Sequence, residues 1–183
     1  MRGVSLSRQN IVLIGFMGSG KSTIGRLIAG RLGFQFVDTD AVIVQRAGMD
    51  IAAIFARDGE EGFRELETAA LESLDHLQRS VIATGGGVVL RERNRELLRE
   101  LGLVVLLKAS EEALFERVSR NTKRPLLQTE NPRETFAKLY AAREPIYEAA
   151  AQWTLDSTAI PHRAAAEAVI GEARRVFAWQ DAP

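Results

Sequence analysis

The chain has 183 residues, of which 46% are hydrophobic and 26% are charged, and its net charge is zero. A chain of this length is expected to form one domain with a sizeable core, and its charge balance gives no basic footprint for nucleic acid or a membrane surface. The absence of cysteine excludes disulfides and thiolate metal sites and fits a reducing cytoplasm. No apolar run approaches the ~18 residues of a membrane span, so a soluble protein is expected.

Short apolar runs alternate with longer amphipathic stretches along the whole chain. In chain order, the pattern predicts a strand at 10–16, a helix at 22–32, a strand at 34–38, helices at 41–46 and 60–77, a strand at 80–84, a helix at 91–101, a strand at 103–107, helices at 110–120 and 133–150, a strand at 153–156 and a helix at 163–177. Four of the strands are almost continuously apolar, as is typical of parallel strands covered on both faces. The alternation predicts an α/β fold with a mostly parallel sheet.

The turn after the first predicted strand carries a phosphate-binding motif. Gly15 to Ser22 matches G-x-x-x-x-G-K-[ST] between a strand and a helix, which is the context that the motif requires. Lys21 is expected to reach the β- and γ-phosphates of a nucleoside triphosphate, and Ser22 to bind Mg²⁺. Kinases, ATPases and GTPases share this motif, so it indicates the phosphate donor and leaves the acceptor open. The predicted nucleotide-binding residues of the loop are Gly18, Ser19, Gly20, Lys21, Ser22 and Thr23.

Two further patterns end predicted strands, where open parallel sheets bind ligands. Asp38 and Asp40 lie two residues apart, so in an extended segment both carboxylates face one crevice. They are interpreted either as a pair that binds Mg²⁺ water and an acceptor hydroxyl, or as a helix cap at Asp40 beside a solvated Asp38. Thr84 to Gly87 reads TGGG, which indicates either a ligand close against bare backbone or a flexible turn.

Several cationic side chains are candidates for anion recognition. Arg64 and Arg143 lie in predicted helices, and a guanidinium group suits a carboxylate, although a single helical arginine is more often solvated. His76 and His162 have no partner at metal-ligand spacing and are predicted to be surface residues.

One long connection lacks any periodicity. Residues 121–132 are polar, contain two prolines and carry Arg124 near their start, with Arg117 in the preceding helix. A loop of this length is typical either of a surface connection or of a functional lid. Either arginine could neutralise phosphate charge or simply keep the segment solvated.

Taken together, these motifs resemble shikimate kinase. The resemblance rests on GFMGSGKST (15–23), FVDTD (36–40), the stretch from Asp58 to Glu67, TGGG (84–87), RPLL (124–127) and AREPIY (142–147), and it spans roughly residues 10–178. It implies a three-layer α/β P-loop kinase fold, with a five-stranded parallel sheet in the order 2-3-1-4-5 and helices on both faces. It also implies a single kinase domain over 1–183, a substrate-binding segment at about 38–70 and a lid at about 121–132.

The resemblance also implies an activity and a site. The activity is ATP-dependent phosphorylation of the 3-hydroxyl of shikimate in aromatic amino acid biosynthesis, by a cytoplasmic monomer that uses Mg²⁺. The implied catalytic residues are Lys21, Asp40 and Arg124; Arg117 and Arg124 bind ATP; Asp40, Arg64, Gly86 and Arg143 bind shikimate; and Ser22, with Asp38 through water, binds the metal. Residues 156–161 depart from the family's often basic or polar adenine loop, so no adenine contacts are assigned there.

Three other functions are compatible with the phosphate loop. The first is a gluconate-type or other small-metabolite kinase, which would not explain why Arg64 and Arg143 occur together with TGGG. A GTPase needs an N-K-x-D motif, which the chain lacks. A nucleotide-binding regulatory paralogue without activity is expected to have lost Lys21 or Asp40, and both are present.

Overall fold

The computed structural model describes residues 8–119 and 129–179, in which strands and helices alternate. The strands are β1 (Ile11–Ile14), β2 (Gln35–Asp38), β3 (Ser80–Ala83), β4 (Leu103–Lys108) and β5 (Trp153–Asp156). The helices are α1 (Lys21–Leu32), α2 (Thr39–Ala47), α3 (Ile51–Glu72), α4 (Glu92–Leu101), α5 (Glu111–Ser119), α6 (Pro132–Ala150) and α7 (His162–Phe177), and a 3-10 turn (Val88–Leu90) precedes α4. No helix within the described ranges combines the length and apolar character needed to cross a membrane.

The strands form one parallel sheet in the order β2-β3-β1-β4-β5, which confirms the predicted order. Ile11 of β1 lies opposite Val81 of β3 on one side and Leu103 of β4 on the other, so β1 is the central strand. The loops that follow β1, β2 and β3 therefore meet at one edge of the sheet. Open parallel sheets bind ligands at this edge.

Helices cover both faces of the sheet. Val12 and Ile14 of β1 pack into a cluster that includes Phe136 of α6, whereas Ile11 and Leu13 pack into a second cluster formed with α1 and α7. Successive strand residues point to opposite faces, so a strand that is buried on both sides must be apolar at every position. This double burial explains the uninterrupted apolar runs in the sequence.

Two helices differ from the predicted ranges. α3 was predicted over 60–77, but it begins at Ile51 and turns at Gly59, whose φ of 70° and ψ of −172° lie in a region reserved almost entirely for glycine. α2 was predicted over 41–46, but it begins at Thr39 because the Asp38 side chain accepts a hydrogen bond from the Asp40 N–H (3.1 Å) and caps the helix. α2 and the first part of α3 pack on each other through a separate small core, with Ile43, Ile54 and Phe63 as its main members.

Asn10, at the start of β1, connects the beginnings of three strands. Its buried side chain donates hydrogen bonds to the carbonyls of Leu77 (2.8 Å) and Leu101 (3.0 Å) and accepts one from the Ser80 N–H (2.9 Å). Asn10→Leu leaves these three groups without partners in the interior, so we expect the free energy of unfolding to fall by about 3 kcal/mol or more. Urea denaturation measures the change, and an unfolding midpoint equal to that of the wild type would contradict it.

Candidate active site

The loop between β1 and α1 encloses the ammonium group of Lys21. Lys21 Nζ donates hydrogen bonds to the carbonyl oxygens of Gly15 (2.7 Å) and Phe16 (3.0 Å) and to the hydroxyl of Ser19 (3.3 Å). These are oxygen ligands of the kind that a phosphate group also offers. The lysine is therefore held at the mouth of the loop, where phosphate oxygens can replace some of these partners.

Gly18 and Gly20 give the loop its shape. Their φ angles are 84° and 87°, in the left-handed region that favours glycine. A Cβ on Gly18 would also lie 2.9 Å from the carbonyl oxygen of Leu114 in α5. The loop can therefore turn its backbone N–H groups inward only with glycine at these positions, which agrees with the role predicted for the motif.

Ser22 and Asp38 lie side by side beneath the loop. The Ser22 hydroxyl donates a hydrogen bond to Asp38 Oδ2 (2.8 Å), while Asp38 Oδ1 caps α2. The alternative that made Asp40 the helix cap is wrong, because Asp38 is the cap. Asp40 lies in the first turn of α2 and not in an extended segment, yet both carboxylates line the same cleft.

Two glycines of the TGGG turn make room for charged side chains. A Cβ on Gly85 would lie 2.7 Å from Asp40 Oδ1 and 2.8 Å from Glu67 Oε1. A Cβ on Gly87 would collide with the guanidinium group of Arg64. Side chains are therefore excluded at Gly85 and Gly87 because two carboxylates and an arginine pack directly on the backbone there. A turn that needed only flexibility would not show this packing.

Gly86 differs from its two neighbours. A Cβ there would have its nearest neighbours at 3.6 Å (Met17 N) and 3.8 Å (Tyr147 Oη), which is ordinary contact distance. The surrounding protein therefore does not require glycine at this position. Since Gly86 also lines the cleft, the space above it is available to a ligand.

Arg64 is buried, with 5% of its surface exposed, and both of its terminal nitrogens are engaged by carboxylates. Nη1 donates to buried Glu67, and Nη2 donates to Glu60 Oε1 (3.0 Å), which is exposed. Burial acts to lower the pKa of Arg64, but the two carboxylates outweigh it and hold the pKa above its usual value. Burial raises the pKa of Glu67 against the opposing effect of Arg64. Arg64 therefore keeps its positive charge, and exposed Glu60 is the partner that a ligand can replace.

Arg143 of α6 approaches the same region from the other side. It is 6% exposed, and its guanidinium carbon lies 5.9 Å from the centre of the Phe16 ring. Burial raises the pKa of Glu67, and the charge of Arg143 acts to lower it, while Tyr147, one helical turn after Arg143, lies against the same Phe16 ring. The structure thus brings Arg143 close to the elements around Arg64, although 79 residues separate the two arginines in sequence.

A cleft of about 370 Å³ joins the phosphate loop to the TGGG turn, and neither Arg64 nor Arg143 is among the residues that line it. Its lining combines the phosphate loop, the two aspartates and the TGGG turn with residues of α5 and α7: Met17, Gly18, Gly20, Lys21, Ser22, Thr23, Asp38, Asp40, Thr84, Gly86, Arg117 and His162. The phosphate loop and the turn between β3 and α4 thus open on one space. A phosphate donor and an acceptor can be held there in contact.

Arg117 and His162 lie on the side of the cleft beyond the phosphate loop. Arg117 Nη2 donates to the carbonyls of Ser157 (3.3 Å) and Thr158 (3.2 Å), which ties α5 to the loop after β5. His162 is exposed, as predicted, but it faces the cleft, since its Nε2 lies 3.3 Å from the position that a Cβ on Gly20 would occupy. The histidine is thus a surface residue of the cleft itself.

Other residues of the candidate site were missed or cannot be placed. Arg124 and the other residues from 121 to 128 of the predicted lid lie outside the described residues. Glu67 and Tyr147 had no assigned role, but each follows a candidate arginine by one helical turn, at the i+3 and i+4 spacing that brings helical side chains together. That spacing is the signal that could have found them.

Comparisons with known proteins agree with this geometry. A family model described as shikimate kinase matches residues 17–174. A shikimate kinase of Thermodesulfovibrio yellowstonii is 46% identical over 92% of this chain and 96% of its own length. The solved structure of a shikimate kinase from Acinetobacter baumannii in complex with shikimate has a TM-score of 0.85 and 38% identity, over 92% of this chain and 93% of that one.

The gluconate-type alternative has a weaker counterpart among the solved structures. A gluconokinase from Sinorhizobium meliloti has a TM-score of 0.53 and 21% identity, over 92% of this chain and 91% of that one. A likeness at that level shows a shared fold alone. The family model and the relative from T. yellowstonii each extend over most of the chain, and they establish that it belongs to the shikimate kinase family.

Proposed function

We propose that this chain transfers the γ-phosphoryl group of ATP to the 3-hydroxyl of shikimate. The observation that carries the proposal is that the phosphate loop and the glycine turn open on one cleft, while buried Arg64 packs on Gly87 of that turn and buried Arg143 lies over Phe16 of the loop. The loop suits a triphosphate, and the arginines suit a small carboxylate such as shikimate. The solved relative from A. baumannii, which binds shikimate, supports this choice of acceptor.

On the donor side, we propose that the loop backbone and Lys21 hold the β- and γ-phosphates. Mg²⁺ is proposed to bind at Ser22, with Asp38 reached through water. The two side chains present oxygen atoms 2.8 Å apart in the cleft, and oxygen is the ligand atom that Mg²⁺ prefers. Within the described residues no three His, Asp or Glu side chains cluster to hold a metal. This fits an ion that takes its other ligands from phosphate and water, and that neutralises phosphate charge when bound.

On the acceptor side, we propose that Arg64 and Arg143 bind the carboxylate and Gly86 presents its backbone to the ring. The exposed Glu60 is the partner of Arg64 that the substrate carboxylate can replace, whereas buried Glu67 stays in place. Among the described atoms, Arg64 Nε and Glu67 Oε1 are buried without a hydrogen-bond partner. Such atoms are rare in folded proteins, and a bound ligand is one way to complete their hydrogen bonding.

In the proposed reaction, Asp40 accepts a hydrogen bond from the 3-hydroxyl and directs its oxygen toward the γ-phosphorus. Asp40 takes up the proton as the new P–O bond forms and the bond to ADP breaks. Lys21 is proposed to stabilise the negative charge of the transferring phosphoryl group. Arg124 is proposed to contact the same group from the lid segment. Arg117, beside the loop after β5, is proposed to contact the adenine.

We propose that the chain works as a monomer in the cytoplasm. Its proposed partners are the small molecules ATP and shikimate, with no role for nucleic acid or a membrane. Size-exclusion chromatography with light scattering tests the monomer directly. A dimer that persists at nanomolar concentration would contradict it.

The function itself is tested by measuring ADP release with a panel of acceptors. Shikimate, quinate, gluconate and nucleoside monophosphates are supplied in turn with Mg²⁺ and ATP. We expect ADP release to depend on shikimate, with the product phosphorylated at the 3-hydroxyl. Turnover with gluconate in place of shikimate would favour the small-metabolite alternative, and nucleotide binding without turnover would favour a regulatory protein.

Arg64→Lys should raise the KM for shikimate about 10- to 100-fold and leave the KM for ATP nearly unchanged. Lysine keeps the charge but cannot bond a carboxylate with two parallel N–H groups while also holding Glu67. Steady-state kinetics with each substrate varied in turn measures the change. Arg57→Lys is the matched control, because Arg57 is on the same helix and pairs with Asp58 but is exposed. An equal loss for both substrates would contradict the assignment.

A further inference from the structure

Tyr147 lies between two elements of the proposed acceptor site. It follows Arg143 by one turn of α6, and only 2% of its surface is exposed. Its hydroxyl donates a hydrogen bond to the carbonyl oxygen of Gly86, and its ring and the Arg143 guanidinium both lie against the Phe16 ring. The hydroxyl therefore connects the helix that carries Arg143 to the glycine turn that follows β3.

We infer that Tyr147 is a positioning residue for the acceptor, whose hydroxyl sets the placement of the Gly86 peptide beside α6, the helix that carries Arg143. The inference rests on the proposed function, because it concerns how that same site holds its substrate. Tyr147 is not proposed to touch shikimate. It acts through the Gly86 peptide.

The Gly86 peptide needs an external constraint of this kind. Glycine has access to more backbone conformations than any other residue, and Gly86 carries no side chain that packs on the protein. The turn also begins a 3-10 segment at Val88 and not a full α-helix, so few backbone bonds hold it. A hydrogen bond from a buried side chain to the Gly86 carbonyl fixes the plane of that peptide.

The Tyr147 ring is itself held firmly. It meets the Phe16 ring edge to face, with 6.4 Å between centroids and 81° between the planes, and it belongs to the core beneath the sheet. Burial raises the pKa of its hydroxyl above the usual value, against the opposing charge of Arg143, so the group remains a donor at neutral pH. Position and protonation state are thus both fixed by packing.

The ordinary alternative is that Tyr147 is a core residue whose hydroxyl merely satisfies a carbonyl. That role would affect stability, and it would leave the affinity of the folded enzyme for shikimate unchanged. The two roles therefore predict different kinetics for a variant that keeps the ring and loses only the hydroxyl.

The test is Tyr147→Phe in the full chain, with initial rates measured while shikimate and ATP are varied separately. We expect the KM for shikimate to rise about tenfold, because the Gly86 carbonyl loses the hydrogen bond that fixes its peptide. The KM for ATP should stay within about twofold of the wild type. KM does not depend on the fraction of enzyme that is folded, so this readout holds even when the variant is less stable.

Tyr140→Phe is the matched control. Tyr140 lies on the same face of α6 two turns earlier, meets Phe16 edge to face at 5.5 Å, and donates a hydrogen bond to the Ala109 carbonyl (3.2 Å). We expect Tyr140→Phe to keep the wild-type KM for shikimate. The inference is overturned if Tyr147→Phe keeps that KM within twofold, if it raises both KM values alike, or if Tyr140→Phe reproduces its effect. Failure of the wild-type chain to phosphorylate shikimate would instead refute the proposed function.

Discussion

Lys21→Met should lower kcat at least ~100-fold while the protein remains folded, which is the scale of losing one donor to the transition state. The Lys21 ammonium is held within the loop by the Gly15 and Phe16 carbonyls, close to where the γ-phosphate is proposed to bind. Phosphoryl transfer develops charge on the transferring oxygens, and a fixed cation beside them stabilises that charge. Methionine has a similar length but supplies no charge and no donor.

Single-turnover kinetics measures the loss of phosphoryl transfer, and thermal unfolding shows whether the variant is still folded. The fold should survive because Lys21 lines the cleft and belongs to none of the hydrophobic clusters of the core. Lys138→Met is the control, since this lysine is 75% exposed on α6 and pairs only with Glu134 among the contacts described. Near-normal turnover by well-folded Lys21→Met protein would remove the basis for assigning the phosphate loop.

The sheet and the phosphate loop could be predicted from the sequence because their signals are local. Continuous apolar runs indicate strands that are buried on both faces, and β1, β3 and β4 begin and end within about two residues of the expected positions. The loop motif carries its own geometry, since glycine is needed wherever φ is positive, as at Gly18 and Gly20. The order of the strands came from the family resemblance, because apolar runs alone do not specify which strands pair.

The acceptor site could be predicted only in part, because its geometry is set by contacts between distant segments. The sequence shows three consecutive glycines, but only the structure shows that Gly85 and Gly87 are bare to admit Asp40, Glu67 and Arg64. That distinction leaves Gly86 as the position open to a ligand. The three consecutive glycines therefore have two structural explanations: Gly85 and Gly87 make room for neighbouring side chains, and Gly86 leaves room for a ligand.

Local capping also changed the interpretation of the aspartates. The i, i+2 argument treated both residues as part of an extended strand, whereas Asp38 ends β2 and Asp40 is already helical. Both still line the cleft, because the strand ends at the edge of the sheet where the helix begins. The first part of α3 was not predicted, and in the structure Gly59 joins it to the second part at a kink.

Asp40→Asn should lower kcat by roughly 10²- to 10⁴-fold, the range typical of losing a general base. Asparagine keeps the shape and can hold a hydroxyl, but it cannot take up a proton. The fold should not suffer, because Asp40 and Glu67 face each other across Gly85 and the Asp40 charge contributes to raising the pKa of Glu67. Neutralising one member of a like-charged pair relieves repulsion.

The distribution of the loss between kcat and KM makes the Asp40→Asn result informative. Asp40 is proposed to bond the reacting hydroxyl, so kcat should fall much more than the KM for shikimate rises, the reverse of the pattern expected for Arg64→Lys. Asp50→Asn is the control, because Asp50 is an exposed aspartate that caps α3 through the Ala53 N–H (2.8 Å). If Asp40→Asn instead raises the KM for shikimate and leaves kcat intact, Asp40 only binds the acceptor, and the proton must pass directly to phosphate oxygen or to solvent.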